Sequence, residues 1–278
     1  MDYSKRKRKK SWKGDPNRKR IRADYYKESY WANHNRDVMQ IDKTISKRMA
    51  SFSSSPGNVY TNETMQVLGN PTLLEEYPLV CVTSRSWFEY RTKDEIDKTK
   101  EVGREIALRG CPVLHMNSKG AEKNMGQYLR WENLRQIIFP FYGIIHFKRL
   151  YGRNMALSVE RGLTTIISPF SSFEAWDLNK QGQRNIMMAH LADIYFGIVP
   201  AVNSMSNIVL HKALEAGKQV YVHELFIDDS NNVGYKRPSR EDYAGTLKEL
   251  YDKGAIPFRV ENIGAIIRNA RAGKIWTP

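Results

Sequence analysis

From residue 79 onward, short apolar runs bounded by turn residues alternate with longer segments in which apolar positions recur every three or four residues. The short runs predict strands over 79–83, 112–116, 144–147, 164–168, 194–199 and 219–223. The segments between them predict helices over 93–109, 121–137, 153–161, 182–191 and 206–216, the last closed by Gly217, a residue suited to a helix C-cap. Strands alternating with helices of this length imply right-handed crossovers and a doubly wound, mostly parallel sheet, an α/β Rossmann-like fold. Ligands in that architecture bind outside the carboxyl ends of the strands. Before this region, residues 23–58 are polar with scattered aromatics and end in Ser51-Phe52-Ser53-Ser54-Ser55-Pro56-Gly57, a linker signature. Val38, Ile41, Ile45 and Met49 sit at helical spacing and predict a short helix over 37–49. The expected organisation is a basic, largely disordered tail and linker over 1–58 and one Rossmann-like domain over 59–278.

Charge changes the picture at one end. The chain of 278 residues carries a net charge of +14. Residues 1–22 hold eleven Lys and Arg, among them Lys5, Arg6, Lys7, Arg8, Lys9, Lys10, Lys19 and Arg20, against Asp2 and Asp15. So polar a segment cannot offset the entropy of ordering, and so basic a one meets phosphate backbones through counterion release. Solubilisation or localisation is the plainer reading of the same run.

Several classes fall away. No run approaches the ~18 apolar residues that cross a bilayer, and no apolar segment follows the basic start as in a secretory signal. The chain is therefore expected to be cytoplasmic, with nucleoid association as an option, and without a membrane role. Cys81 and Cys111 are isolated in apolar runs and make neither a disulfide framework nor a zinc site. The six histidines, His34, His115, His146, His190, His211 and His223, show no metal spacing, and those at strand ends read as structural. There is no G-x-S-x-G elbow, Walker A sequence or G-x-G-x-x-G. Nothing demands an enzyme, a metal or a cofactor.

Three strand-to-helix turns carry the candidate chemistry. After the first strand come Ser84 and Arg85, a hydroxyl and a guanidinium able to meet phosphate, with Trp87 nearby. After the second come Asn117, Ser118, Lys119 and Gly120, offering a cap, a charge and close backbone approach. After the fifth come Ser204, Ser206 and Asn207 at a helix start, and Arg184-Asn185 opens the helix before that strand, facing the same crevice. Surface ion pairs and ordinary caps are the plain alternatives for each.

These segments resemble, in order, the DNA-processing protein A (DprA/Smf) family. Gly69-Asn70-Pro71-Thr72-Leu73-Leu74 and Ser84-Arg85 are similar to its opening G-N-x-x-L-L and G-S-R elements. Residues 113–122 resemble V-V-S-G-x-A-x-G-I-D, with Gly120 on the second glycine and Glu122 on the aspartate. Tyr151-Gly152-Arg153-Asn154 resembles Y-P-x-x-N, and residues 162–169, 184–193, 199–222 and 245–263 follow the family's later elements, so that roughly 65–270 is covered. The resemblance implies an extended Rossmann fold that binds single-stranded DNA in a basic pocket and serves recombination, with a RecA-type recombinase as partner and a homodimer as assembly. Carried over, Ser84, Arg85, Lys119, Gly120, Asn154, Arg184, Asn185, Ser204, Ser206 and Asn207 would line the nucleic-acid site. The chain departs from the pattern at His115-Met116, Pro200, Met205 and Ile186, where the family has Ser-Gly, Glu, Gly and Arg. Only residues 264–278 follow the match, too few for the winged-helix domain that the family appends.

Three functions stand open at this point. The first is a non-enzymatic binder of single-stranded nucleic acid, with Tyr151 or Trp87 stacking on bases. The second is a nucleotide-binding sensor or nucleotide-cleaving enzyme, for which Glu122 or Glu174 is the available general base. The third is a structural or interaction protein with a vestigial crevice.

Overall fold

The computed structural model describes residues 39–40, 66–84, 93–118, 120–144, 147, 152–170, 178–198, 204–224 and 247–278. All of them belong to one unit, Met39–Pro278. In chain order the described elements are β1 (Met39–Gln40), β2 (Gln66–Leu68), β3 (Val80–Ser84), α1 (Lys93–Leu108), β4 (Val113–His115), α2 (Ala121–Trp131), β5 (Gln136–Ile138) and α3 (Arg153–Glu160). They continue with β6 (Thr164–Ser168), α4 (Leu178–Leu191), β7 (Ile194–Ile198), α5 (Met205–Glu215), β8 (Gln219–His223), α6 (Leu247–Asp252), β9 (Ile256–Phe258) and α7 (Ile263–Arg271).

The strands form one sheet in the order β1-β2-β6-β5-β4-β3-β7-β8-β9. Every pair from β6 to β9 is parallel, while β2 is antiparallel to β6 and to β1. The chain winds outward from β3 through β4 and β5 to β6, then returns to place β7 beside β3, with Ser84 opposite Ile198. That reversal makes the β3/β7 boundary a topological switch point, where doubly wound sheets bind ligands. The predicted α/β Rossmann-like class is the observed one.

Alternation along each strand separates two cores. Val80 and Val82 join Ile194, Phe196 and Ile198 under α1, α2 and α7. Cys81 and Tyr195 point the other way, among residues of α4, α5 and α6. Tyr195 reaches across to donate its hydroxyl to the Met188 carbonyl, 2.6 Å, so even this buried phenol is satisfied. Phe196 stacks on Tyr221 and meets Phe258 edge-on, and each such ring contributes about 1.5–3 kcal/mol by leaving water. Cys81 and Cys111 are free and buried in opposite cores, where burial raises both thiols above their ordinary range.

Five of the six predicted strands are present within one or two residues. The exception lies at 144–147, where Ile144 and Phe147 are helical and pack with Met155 and Ile166. The strand stands earlier, at β5, overlapping the end of the helix predicted to run to residue 137. Asn133 takes a left-handed conformation (φ 54°) and the Leu134 N–H closes on the Leu129 carbonyl at 2.8 Å, so α2 stops and the β-branched pair Ile137-Ile138 is free to pair. The helix predicted from 182 begins at Leu178. Of the helix predicted over 37–49, Met39–Gln40 is strand and the remainder lies outside the described residues. Strands β2 and β9 and helices α6 and α7 were not predicted. Gly217 does cap α5: at φ 70° its N–H meets the Leu214 carbonyl, and the Lys218 N–H meets that of Ala213.

Candidate functional site at the switch point

Glu122, in the first turn of α2, organises the carboxyl ends of β3 and β4. Its Oε1 accepts from the Thr83 hydroxyl (3.2 Å) and the Ser84 N–H (3.1 Å). Its Oε2 accepts from the N–H groups of Met116 (3.2 Å) and Ser118 (3.4 Å). Four donors from two strand ends thus converge on one carboxylate that is 1% exposed. Burial pushes the Glu122 carboxyl up to about 7, opposed by the Ser84 N–H, the Arg184 charge, the Ser118 N–H and the Thr83 hydroxyl. Ser84 is itself buried, and its hydroxyl donates to Glu95 at 3.2 Å. The amides at these strand ends, which the sequence offered to a phosphate, are therefore already occupied by a carboxyl group of the protein. Gly120 precedes the helix at φ 134°, a backbone region that side chains resist, and stands as N-cap in place of the Asn117 or Ser118 that the sequence favours.

Arg184 and Asn185 lie in the middle of α4 rather than at its start, and both are fully buried. The Arg184 Nε and Nη2 donate to Asn185 Oδ1 at 3.1 and 2.6 Å, and the guanidinium carbon stands 5.1 Å from the centre of the Phe141 ring. Nη1 is buried and has no hydrogen-bond partner. Burial pulls the Arg184 guanidinium down to about 10, countered by the negative charge of Glu122 and by Tyr142 and Cys81. Burial pushes Tyr142 up to about 12. Arg184 thus belongs to a low-dielectric cluster at the ends of β3, β4 and β5, with one donor left over. Such a donor is costly to leave unfilled and binds an anion strongly when one reaches it.

Across the switch point, Ser204 caps α5 by accepting the Asn207 N–H at 3.2 Å and lies 2.7 Å from the Ser206 hydroxyl. Ser206 and Asn207 are buried. Asn154 lies at the start of α3, exposed. The fold therefore gathers Ser84, Gly120, Arg184 and Asn185 at one end of the central strands, with Ser204, Ser206 and Asn207 at the helix start following β7. Arg85, Trp87, Lys119, Tyr151, Glu174 and the tail residues lie outside the described residues. The roles of Glu95, Phe141 and Tyr142 escaped the sequence. The run Phe139-Pro140-Phe141-Tyr142 directly after β5 was the available signal.

His115, where the resembled family has serine, is a structural residue. Its Nδ1 accepts the Asn117 N–H at 3.0 Å, so Nε2 carries the proton and donates to Gln136 Oε1 at 2.9 Å. Gln136 donates on to Thr164, which meets Ser158. Burial lowers the imidazole pKa to about 4. Among the described residues no cluster of three or more His, Cys, Asp or Glu is placed to hold a metal, and no helix is long and apolar enough to cross a membrane.

No family model matches the chain, and no curated protein matches it by sequence. Among the solved structures that resemble the chain are two that cover most of it. One describes the single-stranded DNA binding mode of DNA processing protein A from Helicobacter pylori, 17% identical, with a TM-score of 0.57 over 83% of this chain and 94% of that one. The other is DNA processing protein A (DprA) from Streptococcus pneumoniae, 14% identical, with a TM-score of 0.60 over 91% of this chain and 82% of that one. At these identities the likeness is one of fold, and the fold is that of DNA processing protein A.

Proposed function

We propose that the chain is a DprA-like protein that binds single-stranded nucleic acid in the crevice beyond β3 and β7 and acts in DNA processing or recombination. The observation that carries this reading is the buried Arg184 guanidinium, lying over the Phe141 ring with Nη1 unfilled, at the sheet end where this architecture binds ligands. Arg85 and Lys119 follow directly on Ser84 and precede Gly120 in sequence, and would bring two further charges to phosphate. The helix start at Ser204, with Ser206 and Asn207, supplies donors on the far side of the switch point, and Asn154 and Asn185 complete the polar set. The tail would add a sequence-blind, salt-sensitive term. A RecA-type recombinase as downstream partner and a homodimer as the working unit belong to the same reading.

One observation favours a vestigial crevice instead: Glu122 occupies three amides that a phosphate would otherwise meet. Fluorescence anisotropy with labelled oligo-dT, competed by mononucleotides, separates the two. Oligonucleotide binding that mononucleotides displace poorly and Arg85→Ala weakens sharply is expected. Mononucleotide binding without oligonucleotide preference, or no binding at all, sinks the proposal.

A further inference from the structure

The edge of the sheet opposite the switch point gathers what the rest of the described surface lacks. Four large hydrophobic residues are more than half exposed among the described residues: Tyr77 (54%), Leu108 (53%), Trp131 (62%) and Ile275 (63%). All four lie where the parallel strands begin. Leu108 and Trp131 end α1 and α2, Ile275 follows α7, and Tyr77 precedes β3. Helices that return along parallel strands end at this edge, so the clustering follows from the topology.

Arginines tie the edge together. Arg271 donates from Nη2 to the Arg109 carbonyl at 3.0 Å, and Arg135 donates from Nη2 to the Gly110 carbonyl at 2.5 Å. Arg135 also pairs with Glu76, beside Tyr77, whose hydroxyl donates to the Ala270 carbonyl at 3.2 Å. These bonds cap helix ends, which accounts for the carbonyls they satisfy. They do not account for the uncovered rings, nor for Arg268, Arg271 and Lys274, which have no acidic partner among the described residues. Arg271 engages only one of its nitrogens, so its guanidinium keeps donors to spare.

We infer that this amino-terminal edge is a second contact surface for single-stranded nucleic acid, separate from the crevice. Phosphates would meet Arg268 and the remaining donors of Arg271, and bases would stack on Trp131 and Tyr77. A second copy of the chain is a poorer occupant, because a two-fold contact through this edge would bring two copies of the same cationic surface together. An acidic peptide would satisfy the arginines but give the flat aromatic rings nothing to stack on. The edge and the crevice are a strand length apart, ~16 Å for five residues. One longer strand could therefore span both surfaces, or two strands could occupy one each.

The inference rests on the chain binding nucleic acid but not on where the crevice binds it. The test uses the full chain and a labelled oligo-dT carrying 4-thiothymidine. Photocrosslinked peptides should include Tyr77 or Trp131, and Trp131→Ala should weaken binding roughly tenfold, the loss of one stacked base. Trp131 is exposed enough for the variant to fold, and Arg268→Glu should weaken binding by an independent route. In an Arg85→Ala background, residual binding should vanish when Trp131→Ala is added. Crosslinks confined to other regions, with affinity untouched by either edge variant, would overturn the inference while leaving the crevice reading intact. Sedimentation showing a dimer lost in Trp131→Ala at unchanged oligonucleotide affinity would also overturn it. A wild-type chain that binds no oligonucleotide would remove both readings together.

Discussion

Gly126→Ala tests the packing beneath the site because two effects of opposite sign meet there. Gly126 lies inside α2, where alanine ordinarily stabilises by about 1 kcal/mol. Here a Cβ would stand 2.6 Å from His115 Cε1, 2.9 Å from its Nε2 and 3.1 Å from Gln136 Oε1. Those atoms are held by the His115–Gln136–Thr164–Ser158 chain of hydrogen bonds and are fully buried, so they cannot swing into solvent. Overpacking costs roughly 1–3 kcal/mol, and breaking one buried hydrogen bond costs about 1–3 kcal/mol more. Set against the helix gain, the net expectation is a destabilisation of about 1–5 kcal/mol. Urea unfolding followed by far-UV circular dichroism reads this as a lower midpoint at unchanged slope. His115→Ser makes room for the Cβ, so in that background Gly126→Ala should cost little or stabilise. The double-mutant cycle should then give a coupling of about 2 kcal/mol or more. Gly126→Ala as stable as wild type in the His115 background would refute the reasoning.

Other perturbations follow from the same geometry. Glu122→Ala orphans three buried amides and a hydroxyl and should lower stability by about 3 kcal/mol; a loss under about 1 kcal/mol would mean that water replaces the carboxylate. His115 has a folded pKa lowered from 6.5 to about 4 by burial, so its contribution is present above pH 6.5 and lost as pH falls toward 4. That contribution amounts to about 3 kcal/mol, and wild type minus His115→Ser in a pH series of urea midpoints isolates it. Glu122 acts with the opposite sign: its pKa is raised from 4.5 to about 7, so its contribution is present below 4.5 and lost as pH rises through 7. Deleting residues 1–22 should weaken oligonucleotide binding and flatten its salt dependence, and an unchanged slope would exclude the tail as a phosphate tether.

The central strands were legible because each is a short apolar run closed by turn residues, a pattern that β3, β6 and β8 follow closely. Strand β5 was not, because three residues directly after a helix look like its last turn until Asn133 is known to reverse the backbone. Arg184-Asn185 read as a helix start because Gly182 interrupts the pattern and 178–181 carries little apolar signal. The structure buries the pair mid-helix. Gly217 was legible from chemistry alone, since a left-handed position after an apolar helix selects glycine. What no one-dimensional pattern carries is the capture of Ser84, Met116 and Ser118 by Glu122. That contact depends on β3 and β4 lying side by side, and it turns strand-end amides that looked available into occupied ones.

Hydrogen–deuterium exchange of the full chain with and without saturating oligo-dT tests the crevice most directly. Slower exchange is expected in peptides spanning 83–90, 116–122 and 204–210 when the oligonucleotide is bound. Oligonucleotide binding with exchange unchanged in all three would contradict a switch-point site.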